Sequence, residues 1–435
     1  MPHALNSEVE YLLTLEAIRE RSRLVYQAAL DGRLNSFEYN SDRMPAVADF
    51  VCDIIRRDFG PDRYSEIPPH GRWQHFNVGG IDRISPLLKE WKSEGCDDVE
   101  ITRRLVDLFF VSVLLDAGAG DAWTFEEEST GRFYNRSEGI AIASLYMFLA
   151  GAFSTSDERA ASVDAQGLVE LSESAFSKFF QLSPENPLVG VSTRVQLLNN
   201  VGRSLLGLSD VVGKRGRPGN LVDYLLFSKS NGQIDYRTMW SVLQMILIPA
   251  WPKDRPSIAG CPIGDAWPVK VLSQRAVEAG CRDDLSMSVQ PFHKLTQWLG
   301  YSLTVPFARI LGVAVHNQDL GTGLPEYRNG GLFVDLGALQ LKAPALETGC
   351  LASKQELPMF SATSDTIIEW RGMTVALLDE LFKIVSARFT EQGVQLTMAQ
   401  MLEAGTWKGG RELAAKYRPT TKSSPILIDG DGSLF

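Results

Sequence analysis

The sequence predicts a mainly α-helical fold, a compact multi-helix single domain with long functional loops and a small β element. Apolar residues recur at helical spacing over most of the 435 residues. In residues 9–30, for example, Leu15, Ile18 and Val25 fall broadly on one face, and Gly32 stands where a C-cap would. Strand signals are few, and no repeat of fixed period or low-complexity tract indicates another architecture.

The individual elements follow from this periodicity. We expect helices over the segments 9–30, 42–58, 81–94, 98–116, 137–150, 165–180, 188–206, 235–248, 293–311, 366–388 and 408–417. The best strand signal is residues 331–341. Loops at 251–268 and 321–331 are rich in Gly, Pro and aromatic residues, and long loops in a compact protein are usually functional. Because no flexible linker marks a boundary, we expect one catalytic domain over residues 1–435, with the N-terminal helical segment 1–60 packed on it.

The balance of charge excludes several classes of partner. Lys and Arg total 43 against 53 Asp and Glu, which gives a formal net charge of −10. An acidic surface argues against binding to nucleic acid or to anionic lipid, since both need a basic patch. We therefore expect a small-molecule substrate and no nucleic-acid or membrane partner. A homo-oligomer is compatible with the sequence.

Cysteine usage and hydropathy indicate a cytoplasmic protein. The five cysteines are scattered and form no Cys-x-x-Cys pair, as a reducing compartment permits. The most apolar window, Leu105–Leu115, is about half the length that a membrane span requires. The first residues lack the basic stretch and apolar run of a signal peptide. We expect a soluble protein of the cytoplasm.

Polar chemistry concentrates in five motifs, of which the first covers residues 68–77. His70, Arg72, Trp73 and His75 bring hydrogen-bonding groups and stacking surfaces together within a few residues of one loop. These residues are candidates for substrate binding, and the alternative is a loop pinned by side-chain hydrogen bonds. A metal site is the third interpretation, but His-x4-His is not a recognised ligand spacing and no acidic or thiolate partner follows nearby. We therefore expect neither a metal nor another cofactor.

The second motif places a carboxylate at the end of an apolar helix. Asp116 precedes a Gly-x-Gly turn at 118–120, which lets a ligand approach the backbone closely. The electronegative C-terminus of a helix disfavours an ionised Asp, so a carboxylate there without a cationic partner predicts a function. Trp123 follows as a possible wall of the site. Asp265 and Trp267 repeat this pairing of carboxylate and tryptophan, and we include both as substrate-binding candidates.

The third motif opens a helix at Asn135-Arg-Ser-Glu138. Asn at the N-cap with Glu three residues later predicts a capping box, which gives Glu138 a structural explanation. Arg136 has no such explanation and is a binding candidate. Glu138 is therefore only the third choice for a catalytic carboxylate.

The fourth motif lies in the predicted helix 293–311. Helical spacing puts His293, Gln297 and Tyr301 on one face, with leucines opposite. A solvent-exposed face more often carries Lys, Glu and Arg, so we expect an enclosed polar surface that binds substrate. Trp298 in the same segment is a further binding candidate. The alternative is a buried structural network.

The fifth motif is the loop 321–331. Glu326, Tyr327, Arg328 and Asn329 stand between glycines, and four such side chains in a row are more than a turn requires. Binding and catalytic residues are common on loops of this kind. We predict that Glu326 is catalytic or supports catalysis and that its three neighbours bind substrate. We also expect all five motifs to meet in one pocket.

At these residues the chain resembles the uracil catabolism family of fungi and bacteria. The stretches that carry the resemblance are IPPHGRWQHFNVGG, VSVLLDAGAGDAW, RSEGIAIASLYMF, PFHKLTQWLGYSL, TGLPEYRNGGL, EWRGMTVALLDEL, LEAGTWKGGRELAAKYRP and the terminal DGDGSLF. Together they run from residue 67 to 435, so the resemblance covers essentially the whole chain. The tail expected for the family is closer to SDGTVF, and the tail of this chain departs from it.

The resemblance implies an enzyme of the ring-opening pathway that passes through ribosylurea. The residue inventory suits hydrolysis of the N-ribosidic bond of ribosylurea or its phosphate, since a carboxylate stabilises an oxocarbenium-like state while it orients water. Asp116 is the first candidate for that carboxylate and Glu326 the second. One alternative is a ureide amidohydrolase that relies on His70, His75 and His293. The other is a non-catalytic partner of the pathway's ring-opening enzyme.

Overall fold

Helices built on the predicted periodicity dominate the computed structural model, which describes residues 7–116, 118–120, 122–156 and 161–430. The α-helices are Ser7–Leu12, Leu15–Leu30, Met44–Phe59, Arg72–Phe76, Ile84–Ser93, Asp98–Leu114, Arg136–Leu149, Ala165–Glu170, Glu173–Phe179, Val191–Leu206, Ser209–Val212, Leu221–Phe227, Tyr236–Leu247, Lys270–Glu278, Lys294–Ile310, Tyr327–Asp335, Ala343–Ser353, Asp365–Thr390, Met398–Met401 and Trp407–Tyr417, with a π-helical turn at Leu402–Thr406. The mainly α-helical prediction is confirmed. The terminal residues 431–435, which carry the departure from the family tail, lie outside the described residues.

Two of the predicted helices are each divided by a capping residue. The predicted helix 9–30 is interrupted at Thr14, whose Oγ1 accepts a hydrogen bond from the Ala17 amide at 3.1 Å and starts a second helix. Ser172 divides the predicted helix 165–180 in the same way. Apolar periodicity continues through both breaks, which is why the sequence pattern alone did not reveal them.

The strand predicted over 331–341 is wrong over most of its length. Residues Tyr327–Asp335 form a helix because Glu326 caps its first amides, so the predicted loop 321–331 also ends early. Only Leu339–Leu341 is a strand, and it pairs with an N-terminal strand.

The strands within the described ranges form two-stranded sheets only. The antiparallel pairs are Phe37–Tyr39 with Leu339–Leu341, Phe125–Glu127 with Arg132–Tyr134, Ser257–Ile258 with Cys261–Pro262, and Ala266–Pro268 with Val289–Pro291. The parallel pairs are Ile234–Asp235 with Val315–His316 and Met359–Ser361 with Leu427–Asp429. The last pair fixes the C-terminal segment beside the site described below.

A central pair of helices organises the core. Asp98–Leu114 is buried on nearly all sides from Ile101 onward and packs against Lys294–Ile310. The main hydrophobic cluster extends from Leu15 to Ile426 in the sequence. None of the helices in the described part of the chain is long and apolar enough to cross a membrane. Asp116, which follows helix Asp98–Leu114, and the first turns of helix Lys294–Ile310 lie at the same cavity.

Candidate functional site

A cavity of about 400 Å³ receives side chains from each of the five sequence motifs. Its lining includes His70, His75, Asp116, Arg136, Lys294, Trp298, Glu326, Tyr327 and Arg328, together with Trp407 and the C-terminal residues Ser423, Ser424, Ile426, Leu427 and Ile428. Cavities of this size and mixed polarity are typical of sites for small organic ligands. The motifs therefore meet although they are spread over more than 250 residues.

Asp116 has a cationic partner, contrary to the expectation from sequence. Arg72 Nη1 lies 2.7 Å from Asp116 Oδ2, and the rest of the guanidinium donates to Ser112, with Nε 2.8 Å from Oγ and Nη2 3.1 Å from the carbonyl oxygen. Arg72 is fully buried and lies behind the cavity lining, where it positions Asp116, so the structure does not place it in direct contact with the cavity. Asp116 Oδ1 makes no hydrogen bond to any described residue and is available to a ligand.

His75 presents an unpaired hydrogen-bond donor at the cavity. Its Nδ1 lies 3.1 Å from Arg72 Nη1, and because a guanidinium only donates, Nδ1 accepts and the proton resides on Nε2. That Nε2 is buried and has no partner among the described residues. Burial and the Arg72 charge lower the pKa of His75 to about 4. The ring is therefore neutral at physiological pH and offers an N–H group.

Aromatic side chains flank the two histidines. His75 lies between Trp298 and Trp407, with ring centroids 5.5 and 5.4 Å away, and His70 packs on Trp298 at 4.5 Å. His70 Nδ1 also bonds to Glu403 Oε2 at 2.6 Å. Trp298 Nε1 is buried without a partner in the part of the chain that the structure describes. A ligand here meets flat apolar faces and two unpaired N–H donors.

Sequence reasoning missed four residues of the site. Glu403 and Trp407 lie at a π-helical turn, and such turns are frequent at functional sites. The sequence indicates this stretch only through the family resemblance. Ser424 lines the cavity, and its buried Oγ has no partner within the described ranges. Lys294 follows His293 directly but does not lie on the polar face predicted for helix 293–311, so helical spacing does not indicate it.

Lys294 is a partly buried lysine at the cavity whose pKa is lower than that of a solvated lysine. Its Nζ makes no hydrogen bond or ion pair with the residues that the structure describes, although it lines the cavity. Burial lowers the pKa of Lys294, and the carboxylates of Glu326 and Asp116 oppose this shift. Lys294 therefore lies in the field of both predicted carboxylates and can exchange a proton more readily than a solvated lysine.

Glu326 has a structural explanation that the sequence did not predict. Its Oε1 accepts from the Asn329 amide at 2.5 Å and its Oε2 from the Arg328 amide at 2.8 Å, so both oxygens cap a helix. Burial raises the pKa of Glu326, and the two amides oppose the rise. The Asn329 side chain bonds to Leu324 and Thr406 and does not line the cavity, so the structure gives no support to its predicted substrate contact.

Glu138 does not form the predicted capping box. Asn135 is the N-cap residue but its side chain makes no capping hydrogen bond. Glu138 instead forms an ion pair with Arg411. Burial would raise the pKa of Glu138, but Arg411 holds it below its usual value. Glu138 does not reach the cavity lining, whereas the neighbouring Arg136 does, so Glu138 stays the weakest of the three catalytic candidates.

Two predicted binding residues are core tryptophans. Trp73 packs edge-on against Phe109, with ring centroids 5.8 Å apart. Trp123 is fully buried and donates from Nε1 to the Phe180 carbonyl at 2.9 Å, so it does not wall the cavity. The structure brings neither ring to the cavity, because large aromatic rings near a polar motif are satisfied by packing as readily as by a ligand.

Asp265 and Trp267 also belong to the core. Arg371 Nη1 donates to Asp265 Oδ1 at 2.8 Å and Arg371 Nη2 donates to Oδ2 at 2.7 Å. Trp267 Nε1 donates to the same carboxylate at 2.8 Å. Neither residue lines the cavity, so the structure gives no support to their predicted substrate contacts. The likeness between this pair and the Asp116 region was one of composition.

The polar face predicted on helix Lys294–Ile310 is a buried structural network. His293 Nε2 lies 2.9 Å from the Leu12 carbonyl oxygen, Gln297 Nε2 donates to Thr322 Oγ1 at 2.9 Å, and Tyr301 donates to the Thr322 carbonyl at 2.8 Å. These three residues are absent from the cavity lining, which Lys294 and Trp298 reach instead. The contacts of His293, Gln297 and Tyr301 favour the alternative of a buried structural network over a surface that binds substrate.

Metal-ligating side chains do not cluster in the described residues. Nowhere in ranges 7–116, 118–120, 122–156 and 161–430 do three or more His, Cys, Asp or Glu side chains come together as a metal site would require. The two cavity histidines are engaged by Glu403 and Arg72 instead.

The chain belongs to a family of helical proteins that is described as a protein of unknown function (DUF1688), whose model matches residues 11–435. Among its relatives, "Uracil catabolism protein 4" of Lachancea kluyveri is 42% identical over 445 residues, covering 99% of this chain and 100% of the relative. "Protein urg3" of Schizosaccharomyces pombe is 45% identical over 432 residues, covering 98% and 99%. The predicted resemblance to the uracil catabolism family is confirmed.

Proposed function

We propose that this protein acts in uracil breakdown as an enzyme that hydrolyses the N-ribosidic bond of ribosylurea or its phosphate and releases urea. The name of a relative that matches almost the full length, uracil catabolism protein 4, supports the pathway. One observation carries the reaction: Asp116 lines the cavity and binds Arg72 through one oxygen, while its other oxygen has no partner among the described residues.

The chemistry requires a carboxylate, a water molecule and a proton donor. Asp116 accepts a proton from water while the water oxygen bonds to the anomeric carbon of ribose, and the ribosyl cation that develops is stabilised by the carboxylate charge. The bond from the anomeric carbon to nitrogen breaks, and its electron pair leaves with urea. Lys294, whose pKa is lowered by burial, gives the departing nitrogen its proton. Proton return from Asp116 to Lys294 resets the site, and the products are ribose or its phosphate and urea.

The remaining cavity groups suit recognition of the two parts of this substrate. The N–H of neutral His75 donates to the urea oxygen, and that hydrogen bond is strong where no water competes. Trp298 and Trp407 offer flat surfaces for the ribose ring. No step requires a cofactor.

The direct test is a substrate panel with the full-length protein. Ribosylurea, its 5-phosphate and open-chain ureides without ribose are incubated separately, and release of urea and of reducing sugar is measured. We expect urea and sugar in equal amounts from one or both ribosyl compounds. Ammonia from the ureides without sugar release would favour the amidohydrolase alternative. Lack of turnover with every compound would favour a non-catalytic partner.

A further inference from the structure

Two arginines converge on one wall of the cavity. Arg328 Nη1 lies 3.0 Å from the Lys422 carbonyl oxygen, and Arg136 Nη1 lies 3.4 Å from the same atom. Both side chains line the cavity. Two guanidinium groups held this close to one acceptor repel each other, and a bound anion between or beside them relieves that repulsion.

Arg328 is buried without a carboxylate partner in the described part of the chain. It is 6% exposed and forms no ion pair there, while the nearby Glu326 uses both oxygens on backbone amides. Burial lowers the pKa of Arg328; the charges of Arg136 and Arg411 add to this effect, and Tyr327 and Glu326 oppose it in part. A buried charge is costly unless something compensates it, and here the open side is the cavity.

A helix N-terminus and two hydroxyl groups complete this wall. Helix Arg136–Leu149 begins here, its N-cap side chain makes no capping bond, and Ser137 lines the cavity. Its first amides and its dipole favour a negative group. Ser424 faces the same cavity, and its buried Oγ has no partner among the described residues. The described residues of this wall thus offer an anion two guanidinium groups, a hydroxyl group and the amides of a helix N-terminus.

We infer that this wall is a subsite for a phosphomonoester, formed by Arg136, Arg328, Ser424 and the first turn of helix Arg136–Leu149. Since the phosphate subsite and Asp116 belong to one cavity, the substrate is a sugar 5-phosphate derivative and not the uncharged ribosyl compound. This inference rests on the proposed function and specifies its substrate class. Guanidinium groups and phosphate oxygens match in geometry as well as in charge.

Binding by the full-length protein tests the subsite without any need for turnover. Ribose 5-phosphate, ribose and inorganic phosphate are titrated separately in a calorimeter at fixed ionic strength. We expect ribose 5-phosphate to bind at least about 10-fold more tightly than either of the others, because only it contacts both ends of the cavity. Equal binding of ribose and ribose 5-phosphate would overturn the subsite. Inorganic phosphate binding as tightly as ribose 5-phosphate would overturn the assignment to a sugar phosphate.

Three variants assign the effect to the two arginines. Arg136→Asn keeps the left-handed backbone (φ 51°), which asparagine tolerates, and Arg328→Gln removes the second guanidinium. Each should weaken ribose 5-phosphate binding about 10-fold or more and leave ribose binding within about twofold. The control Arg282→Gln removes an exposed positive charge outside the cavity lining and should bind like the parent.

The outcomes separate this inference from the proposed reaction. A melting curve first checks that each variant is folded, and if Arg328→Gln does not fold, Arg136→Asn decides. Parent-like binding of ribose 5-phosphate by Arg136→Asn would overturn the subsite even if the protein hydrolyses ribosylurea. Arginine-dependent binding of ribose 5-phosphate without hydrolysis of either ribosyl compound would support the subsite and contradict the proposed reaction.

Discussion

Two aspartate–arginine pairs in this molecule look alike and have different uses. Asp116 pairs with Arg72 and Asp265 with Arg371, and both arginine side chains are 0% exposed. Asp265 is saturated, because the Lys294 amide completes a shell that already contains Arg371 and a tryptophan N–H. Asp116 is held through one oxygen, and the other is left open at a cavity.

The difference separates a carboxylate whose hydrogen-bonding capacity is used up from one that can still bind water or a ligand. Burial alone would raise the pKa of Asp265, but the Arg371 guanidinium holds it well below its usual range. A carboxylate whose lone pairs are all taken has no capacity left for water or substrate. Asp116 keeps both a counter-charge and an open oxygen. Removing charge should therefore cost stability at both pairs, since both arginines are buried, and should cost turnover in addition only at Asp116.

The largest effect is expected at the saturated pair. Asp265→Asn leaves the Arg371 charge buried without compensation, which should lower the free energy of unfolding by about 3–5 kcal/mol. Denaturant unfolding measures this loss. The control is Asp53→Asn, which breaks an exposed pair with Arg56 and should cost less than about 1 kcal/mol. Equal losses in the two variants would contradict the distinction.

At the open pair, the effect should appear in turnover. Asp116→Asn keeps the shape but removes the charge, so urea release should fall at least ~10²-fold, the low end for acid–base groups. Affinity for ribose 5-phosphate should change much less, because the lost interaction belongs to the transition state.

Glu326→Gln is the matched comparison for Asp116→Asn, since it also replaces a cavity carboxylate but one that caps a helix. We expect it to retain most of the turnover. If Asp116→Asn is active and Glu326→Gln inactive, the catalytic role moves to Glu326. Full activity in both variants would sink the carboxylate mechanism.

The next effect is a pH dependence at His75, which lies beside the open pair and whose pKa is lowered mainly by burial and next by the Arg72 charge. The pKa of His75 is lowered to about 4 in the folded protein, so between pH 6.5 and about 4 only the unfolded chain binds this proton. Stability should therefore decline as the pH falls through this range, by up to about 1.4 kcal/mol per pH unit from this group. His75→Gln should flatten the decline.

The internal control for this measurement is the range above pH 7. His75 is neutral there in both the folded and the unfolded state, so the parent and His75→Gln should show parallel pH profiles. Parallel profiles below pH 6 as well would contradict the assignment of a buried neutral ring to His75.

The smallest expected effect compares two tryptophans, one whose indole N–H is hydrogen-bonded and one whose N–H has no partner among the described residues. Trp123→Phe loses the hydrogen bond to the Phe180 carbonyl, whereas Trp298 Nε1 has no partner to lose in the described part of the chain. Both variants lose the same ring atoms, so Trp123→Phe should be the less stable by about 1 kcal/mol. Thermal unfolding of the two variants gives the comparison. A more strongly destabilised Trp298→Phe would indicate that its N–H is not open.

Much of the fold was predictable because helices arise from local pattern. Apolar periodicity located the long helices, including Lys294–Ile310 and Asp365–Thr390, to within a few residues. It failed at residues 331–335, where alternating apolar residues resembled a strand. Such a pattern occurs in short helices as well as in strands. Here the Glu326 side chain accepts hydrogen bonds from the first amides and starts a helix.

The candidate site was predictable as a set of segments and less so as a set of side chains. His70, His75, Asp116, Arg136 and Glu326 do line the cavity, and their roles remain predictions. Other side chains in the same segments turned inward to satisfy each other. A polar residue in a motif seeks a partner, and the sequence does not say whether that partner is protein or ligand.

The sequence by itself determined which short segments carry polar chemistry and which stretches are helical, because both properties depend on residues within one or two turns of each other. Tertiary structure alone decided which face of helix Lys294–Ile310 meets the cavity and which aspartate stays open. Arg72 reaches Asp116 across 44 residues, and Arg371 reaches Asp265 across 106. Contacts at such separations are set by how the core packs. The residues next to an aspartate in the sequence do not indicate which distant arginine will pair with it.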